Sequence, residues 1–171
     1  MSIPKTPTKA KLVISFISKD KELINSCIKK VGQKFSPADF VTEFVDFTHT
    51  SYYEKELGGS LKRRFASFKK LLDRKDLVKV KKLTNLIENE TVHSKKRRIN
   101  IDPGFLTIEN FILASGKNFT HRVYLKDGIF ADLTLIFTKN DFKELSWTYP
   151  DYKEKAVKDM LRKIREASFL L

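Results

Sequence analysis

His121 and Asp132 are the residues whose types and spacing most plainly allow chemistry, an imidazole and a carboxylate on either side of Asp127-Gly128. Asp-Gly between two strand-like runs is a type I′ hairpin signal. With that turn at the centre, Leu125 pairs with Phe130, Val123 with Asp132 and His121 with Thr134, all on one face. His121 and Asp132 are then diagonal neighbours about 7 Å apart. Such a pair either moves a proton or satisfies a charge that would be costly to bury alone. Asp102, in the Arg98-Asn100-Asp102 edge, is the third candidate for proton transfer. Arg63, Arg64 and Arg122 are candidate clamps for an anionic group, because a guanidinium fork matches a carboxylate or phosphate. Tyr52 and Tyr53, with Arg98 and Asn100, complete the candidate ligand contacts.

Other signatures fail on their residues. A phosphate loop of the form G-x-x-x-x-G-K-[ST] would need Gly where Phe111 stands and Ser or Thr where Asn118 stands. Guanine-specifying N-K-x-D is absent, since Lys139-Asn140-Asp141 has the letters in another order. One cysteine and three scattered histidines, His49, His93 and His121, supply no zinc spacing, so no metal is expected. His49-Thr50-Ser51 matches half of a two-histidine phosphoesterase pattern, and the contexts of His93 and His121 supply no second half.

The elements that would position these groups follow from periodicity. Lys11–Ile17 is a short β-branched run that predicts a buried strand, and Ser18 offers a cap to a helix over Lys19–Phe35. Ala38–Phe47 alternates as a second strand, and Thr48–Ser60 is a polar connection ending in Gly58-Gly59. Residues 61–72 fit helix or strand, and strand is preferred because the second strand needs a neighbour. Leu77, Val80, Leu83, Leu86 and Ile87 form the stripe of a helix capped by Asp73. Ile99–Ile101 predicts a strand closed by an Asp102-Pro103-Gly104 turn. A short helix from Gly104 or Thr107 to Leu113 follows, then the 119–137 hairpin, a strand over Phe142–Trp147 and an amphipathic helix over Lys153–Leu171. The expected fold class is α+β: one domain over 1–171, with a ferredoxin-like βαββαβ core extended by a C-terminal antiparallel β-meander and a terminal helix.

Charge bears on partners. The 171 residues carry a net charge of +13, and residues 61–98 hold 14 Lys and Arg against 4 acids. From 99 to 147 the balance is 5 against 6, so the hairpin stretch is nearly neutral. Such a field favours RNA, a nucleotide or another polyanion as partner. No stretch approaches the ~20 apolar residues of a membrane span, and the lone Cys27 falls among apolar residues, so a cytoplasmic protein with a structural thiol is expected.

The segments TSYYEKELGG, LKRRFASF, NIDPGFLT, HRVYLKDGIFADLTL and WTYPDY, with an opening Pro4-Lys5-x-Pro7, resemble an uncharacterised family of bacterial proteins of about this length. The resemblance spans nearly the whole chain and implies no activity, cofactor or catalytic residue. Three functions therefore remain open. One is a module that holds an anionic ligand (RNA, nucleotide or phosphorylated metabolite) through the basic 62–98 segment. Another is a small enzyme on a phosphorylated or carboxylated metabolite, with His121, Asp102 or Asp132 in proton transfer. The third is a protein-interaction scaffold.

Overall fold

The computed structural model describes residues 1–48 and 54–169, and the chain is α+β. In order, the elements are β1 (Lys11–Ser18), α1 (Lys21–Lys34), β2 (Ala38–Val41), β3 (Val45–Asp46), α2 (Glu54–Leu57), β4 (Lys62–Phe68) and α3 (Leu77–Glu90). Then come β5 (Asn100–Leu106), β6 (Asn110–Ser115), β7 (Arg122–Lys126), β8 (Ile129–Thr138), β9 (Asp141–Glu144), α4 (Pro150–Lys153) and α5 (Lys155–Phe169). All strands join one sheet ordered β2-β4-β1-β5-β6-β8-β7, with β3 on β4 and β9 on β8. Every pairing is antiparallel.

Alternation along the strands builds a different core on each face. Leu12, Ile14 and Phe16 of β1, with Ala66 and Phe68 of β4 and Ile101 and Phe105 of β5, pack under Ile24, Cys27 and Val31 of α1 and Leu77, Val80 and Ile87 of α3. Burial pushes the Cys27 thiol up to about 11, so it stays protonated within this core. Val13, Phe65, Leu106, Phe111 and Leu135 face the other way and pack under Val157, Met160, Leu161 and Ile164 of α5. The α5 core lies toward the Val13, Leu106 and Phe111 ends of their strands, so the Ile17, Asp102 and Ser115 ends are left uncovered by it.

The sheet's ladder opens in two places there. Strand β5 pairs with β6 only from Gly104↔Leu113 to Leu106↔Phe111, so Ile101 has β1 on one side and no strand on the other. Side chains of α3 fill that opening: Ile101 N–H donates to Glu88 Oε1 at 2.5 Å and Ile101 C=O accepts from Lys81 Nζ at 3.2 Å. Burial raises the Glu88 pKa, opposed by Lys81, the Ile101 N–H and Arg97. The second opening is on β8, which carries β7 along 129–132 and β9 along 135–138 on one edge. Between them the Leu133 carbonyl accepts from Trp147 Nε1 at 2.8 Å and the Thr134 carbonyl from Thr148 Oγ1 at 2.6 Å.

Several expectations need correction. Asp20, not Ser18, caps α1, accepting from Leu23 N–H. The Ala38–Phe47 strand is interrupted into β2 and β3, and Asp73 makes no side-chain cap. Asp102-Pro103-Gly104 is not a turn but the middle of β5, and the helix expected from Gly104 or Thr107 to Leu113 is strand β6. The turn lies at Thr107–Asn110, where Thr107 Oγ1 accepts from the N–H groups of Glu109 and Asn110. Strand β9 ends at Glu144, and the C-terminal helix is α5, which starts at Lys155 after the separate short helix α4. In the 122–132 hairpin both turn residues have positive φ, as type I′ requires, but a bulge at Leu125 shifts the register. Tyr124 faces Phe130 and Arg122 faces Asp132.

Gly104 has a packing reason. An added Cβ would meet Phe111 Cζ at 2.5 Å and Cε2 at 2.7 Å, so the ring occupies the space a side chain would need. Gly104→Ala is expected to destabilise by about 1–3 kcal/mol, read from the urea midpoint, with Gly104→Ala/Phe111→Leu recovering part of the loss. Edge strand β2 is anchored through Asp39, which accepts from Lys11 Nζ and from Ser67 Oγ at 2.7 Å. Burial acts to raise the Asp39 pKa, but those two donors outweigh it and hold the carboxyl below its ordinary value. The contribution is therefore full above the unfolded value of about 4 and is lost as pH falls through the lower folded value. Asp39→Asn should flatten the acid limb of stability against pH.

Candidate functional site

A cleft of about 590 Å³ lies on the α5 face at the uncovered strand ends. Its floor is Ile17 of β1, Asp102 of β5, Leu113 to Ser115 of β6 and Asp132 of β8, and its far wall is Arg122 of β7 with Lys117 to Phe119. Tyr149 to Tyr152 roof it. The β5–β6 opening separates Asp102 from Ser115, and the bonds of Trp147 and Thr148 to β8 fix the start of the roof.

Charged groups converge here in paired form. Asp132, 2% exposed, accepts from Arg122 Nε at 2.8 Å and lies 3.2 Å from His121 Nε2 through the same oxygen. Arg122 also donates from Nη1 to the Lys117 carbonyl at 2.9 Å and from Nη2 to the Tyr149 hydroxyl. Three of its five N–H groups are thus used. Asp151 in the roof pairs with Arg63 Nη1 at 2.7 Å, and Arg63 Nε donates to Ser15 Oγ at 2.9 Å. The Arg63 guanidinium lies over the rings of Phe65, Tyr152 and Phe47, at 4.1, 4.9 and 5.5 Å from the centroids. Asp102 accepts from Asn100 Nδ2 at 2.5 Å and has Lys81 Nζ at 4.0 Å.

The phenols respond to this setting. Burial raises the Tyr149 pKa, opposed by Arg122 and reinforced by Asp132, Asp102 and Asp151. Burial likewise pushes the Tyr152 phenol up, and its hydroxyl makes no hydrogen bond among the described residues. Both stay neutral, as donors. No group of three or more His, Cys, Asp and Glu fit to hold a metal ion occurs among the described residues.

A family model described as a domain of unknown function (DUF4416) matches residues 8–167. The chain belongs to the DUF4416 family. No curated protein and no solved structure matches it. Among the described residues of this DUF4416 chain, no helix is long and apolar enough to cross a membrane.

The residues selected from the sequence have separate fates. Asp102, Asp132 and Arg122 line one cleft, and Asn100 holds Asp102 in place. His121 stands behind Asp132, its ring stacked on Trp147 at 5.0 Å and edge-on to Phe119 at 5.5 Å, and it is not among the lining residues. Arg63 is buried behind Asp151. Arg64 is on the α1 side of the sheet, donating to the Thr42 carbonyl and Asn25 and stacked on Phe44. Arg98 pairs with Asp20 before α1. Tyr52 and Tyr53 lie outside the described residues. Asp151 and Lys117, which the sequence does not single out, also line the cleft, together with Tyr149 and Tyr152. A buried arginine demands a carboxylate, so Arg63 was the available signal for Asp151.

The Arg63 and Asp151 side chains are 3% and 12% exposed, so removing one partner leaves a buried charge. Arg63→Met is expected to cost about 3–5 kcal/mol by denaturant titration, and Arg63→Met/Asp151→Asn should recover most of it.

Proposed function

We propose that the protein is a small-molecule binding module whose cleft takes a metabolite with one phosphate or carboxylate group on a body that bears hydroxyl or amino groups. The observation that carries this is Arg122. Already oriented by Asp132, the Lys117 carbonyl and Tyr149, it has two N–H groups without an acceptor among the described residues, in a cleft also lined by Asp102 and Asp151. An oxyanion suits those two donors, and hydroxyl or amino groups suit the two carboxylates. The volume falls within the ~300–1,000 Å³ of small-molecule sites. Of the basic 62–98 segment, Arg63 and Lys81 pair with the cleft carboxylates Asp151 and Asp102 without lining the cleft, so the reading rests on the cleft and not on the segment as a whole.

Asp102 favours a second reading, an enzyme acting on such a metabolite. Its side chain is 31% exposed and has no arginine partner among the described residues, which suits a proton acceptor for a ligand hydroxyl. Within this proposal Asp132 is held by Arg122 and His121, so His121 positions Asp132 and does not meet the ligand. The strand order β2-β4-β1-β5, antiparallel throughout with α1 and α3 on one face, supports reading the first half as a ferredoxin-like core that carries the cleft on its free face.

The test is a thermal-shift panel of phosphorylated and carboxylated metabolites with mass spectrometry of material bound to the native protein. A ligand at about 100-fold its Kd adds about 2.7 kcal/mol, or about 5–10 °C in Tm for a chain of this size. Lys117→Gln and Asp102→Asn should each reduce the shift while leaving the unliganded Tm near wild type. A panel without any shift, or variants that bind like wild type, would sink the reading.

A further inference from the structure

We propose that the ligand of the cleft carries a planar ring beside its anionic group, and that Phe119 selects for that ring by stacking on it. The proposal rests on the small-molecule reading of the cleft and adds a class of ligand to it. Of the large apolar side chains exposed among the described residues, Phe119 and Tyr149 alone line the cleft, at 61% and 40% exposure. Ile17, Phe47, Leu113 and Tyr152, which also line it, are buried. Both exposed rings stand at Arg122: the Tyr149 hydroxyl accepts from its Nη2, and the Phe119 ring centre is 6.0 Å from its Cζ. A single exposed phenylalanine is ordinary, but this one is held in place. His121 meets it in a T-shaped contact at 5.5 Å, and His121 is itself stacked on Trp147 at 5.0 Å and within 3.2 Å of Asp132. Trp147 in turn donates to the Leu133 carbonyl, so the exposed ring is anchored to the sheet through its neighbours. An ordered ring costs little further ordering when a ligand stacks on it.

A face of that ring is also left open. Where arginines meet half-buried rings elsewhere in the chain, the guanidinium lies directly on the face: Arg165 on Phe137 at 3.6 Å and Arg64 on Phe44 at 4.0 Å. Arg122 stands at the outer limit of such contact with Phe119, its plane committed to Asp132, the Lys117 carbonyl and Tyr149. The T-shaped contact with His121 takes at most one face of Phe119. A planar ring fits the remaining face, with centroids about 4.5–7 Å apart. From there an oxyanion borne by the same ligand reaches the two N–H groups of Arg122. A saturated ring of the same size would gain burial on Phe119 but no stacking. Two sources supply the required chemistry: a carboxylate on an aromatic ring, and a phosphate on a nucleoside.

The experiment is isothermal titration of the full chain with two matched pairs of probes: benzoate against cyclohexanecarboxylate, and adenosine monophosphate against ribose phosphate. The expected result is that in at least one pair the planar member binds more tightly by at least about fivefold, the low end of what a base–aromatic stack contributes. Preference in the first pair identifies a ring carboxylate as the source, and preference in the second a nucleoside phosphate. Phe119→Leu, which keeps an apolar side chain without the ring, should bring the ratio close to one, and Phe119→Tyr should retain it. Tyr124 is 59% exposed and does not line the cleft, so Tyr124→Leu serves as the control and should leave the ratio as in wild type. Both positions are exposed, where substitutions change stability little. Equal affinities within both pairs, a preference that survives Phe119→Leu, or one lost equally in Tyr124→Leu would overturn the ring proposal and leave the anion site of the cleft standing. If no probe binds, or if binding is indifferent to Lys117→Gln, the cleft reading falls and this one falls with it.

Discussion

Backbone hydrogen bonding that the sheet itself does not complete is the constraint on which the rest of this structure turns. A strand inside a protein cannot leave N–H and C=O groups unsatisfied without cost. Here β5 parts from β6 beyond Gly104, and the edge of β8 that carries β7 and β9 has neither of them at Leu133 and Thr134. Side chains repair both places: Glu88 and Lys81 in one, Trp147 and Thr148 in the other. A continuous ladder would bring Asp102 opposite Ser115 and close the floor. The cleft exists because the ladder is interrupted and the interruption is satisfied from elsewhere.

The same economy governs its charges. Each carboxylate of the cleft has a cation within reach: Asp132 has Arg122, Asp151 has Arg63 and Asp102 has Lys81. Those cations come from different elements, so the pairs also join the roof, the terminal hairpin and α3 to the sheet. The donors and acceptors that line the cleft are thus oriented in advance, the arrangement that lowers the ordering cost of binding in general. Arg122 is central to this, since Asp132, Tyr149 and the Lys117 carbonyl fix its plane.

Much of this was legible in the residues, and what was not has physical reasons. The buried strand at Lys11, the α1 stripe, the Asp127-Gly128 turn and the inward face of α5 follow from local periodicity, which survives in the fold. Asp102-Pro103-Gly104 misleads because its turn chemistry serves another purpose. Pro103 lacks an N–H on the side where β5 has no partner, so nothing is lost, and Gly104 makes room for Phe111. The His121 and Asp132 contact was reached by a register the Leu125 bulge then alters, and the residue that gains from the alteration is Arg122. Asp151 escaped because its partner Arg63 is 88 positions away, and only the folded sheet brings them together. The 62–98 charge count was correct as a count, yet it mixes residues on both faces of the sheet.

The bond between Leu133 and Trp147 has a one-sided character. At Leu133 the acceptor is a main-chain carbonyl, which any residue supplies; at Trp147 the donor is an indole, which only tryptophan supplies. Drift at the first position is therefore invisible to the bond, while drift at the second removes it. In this chain the Leu133 side chain can therefore change without touching the bond, while the segment that roofs the cleft is held through the identity of Trp147.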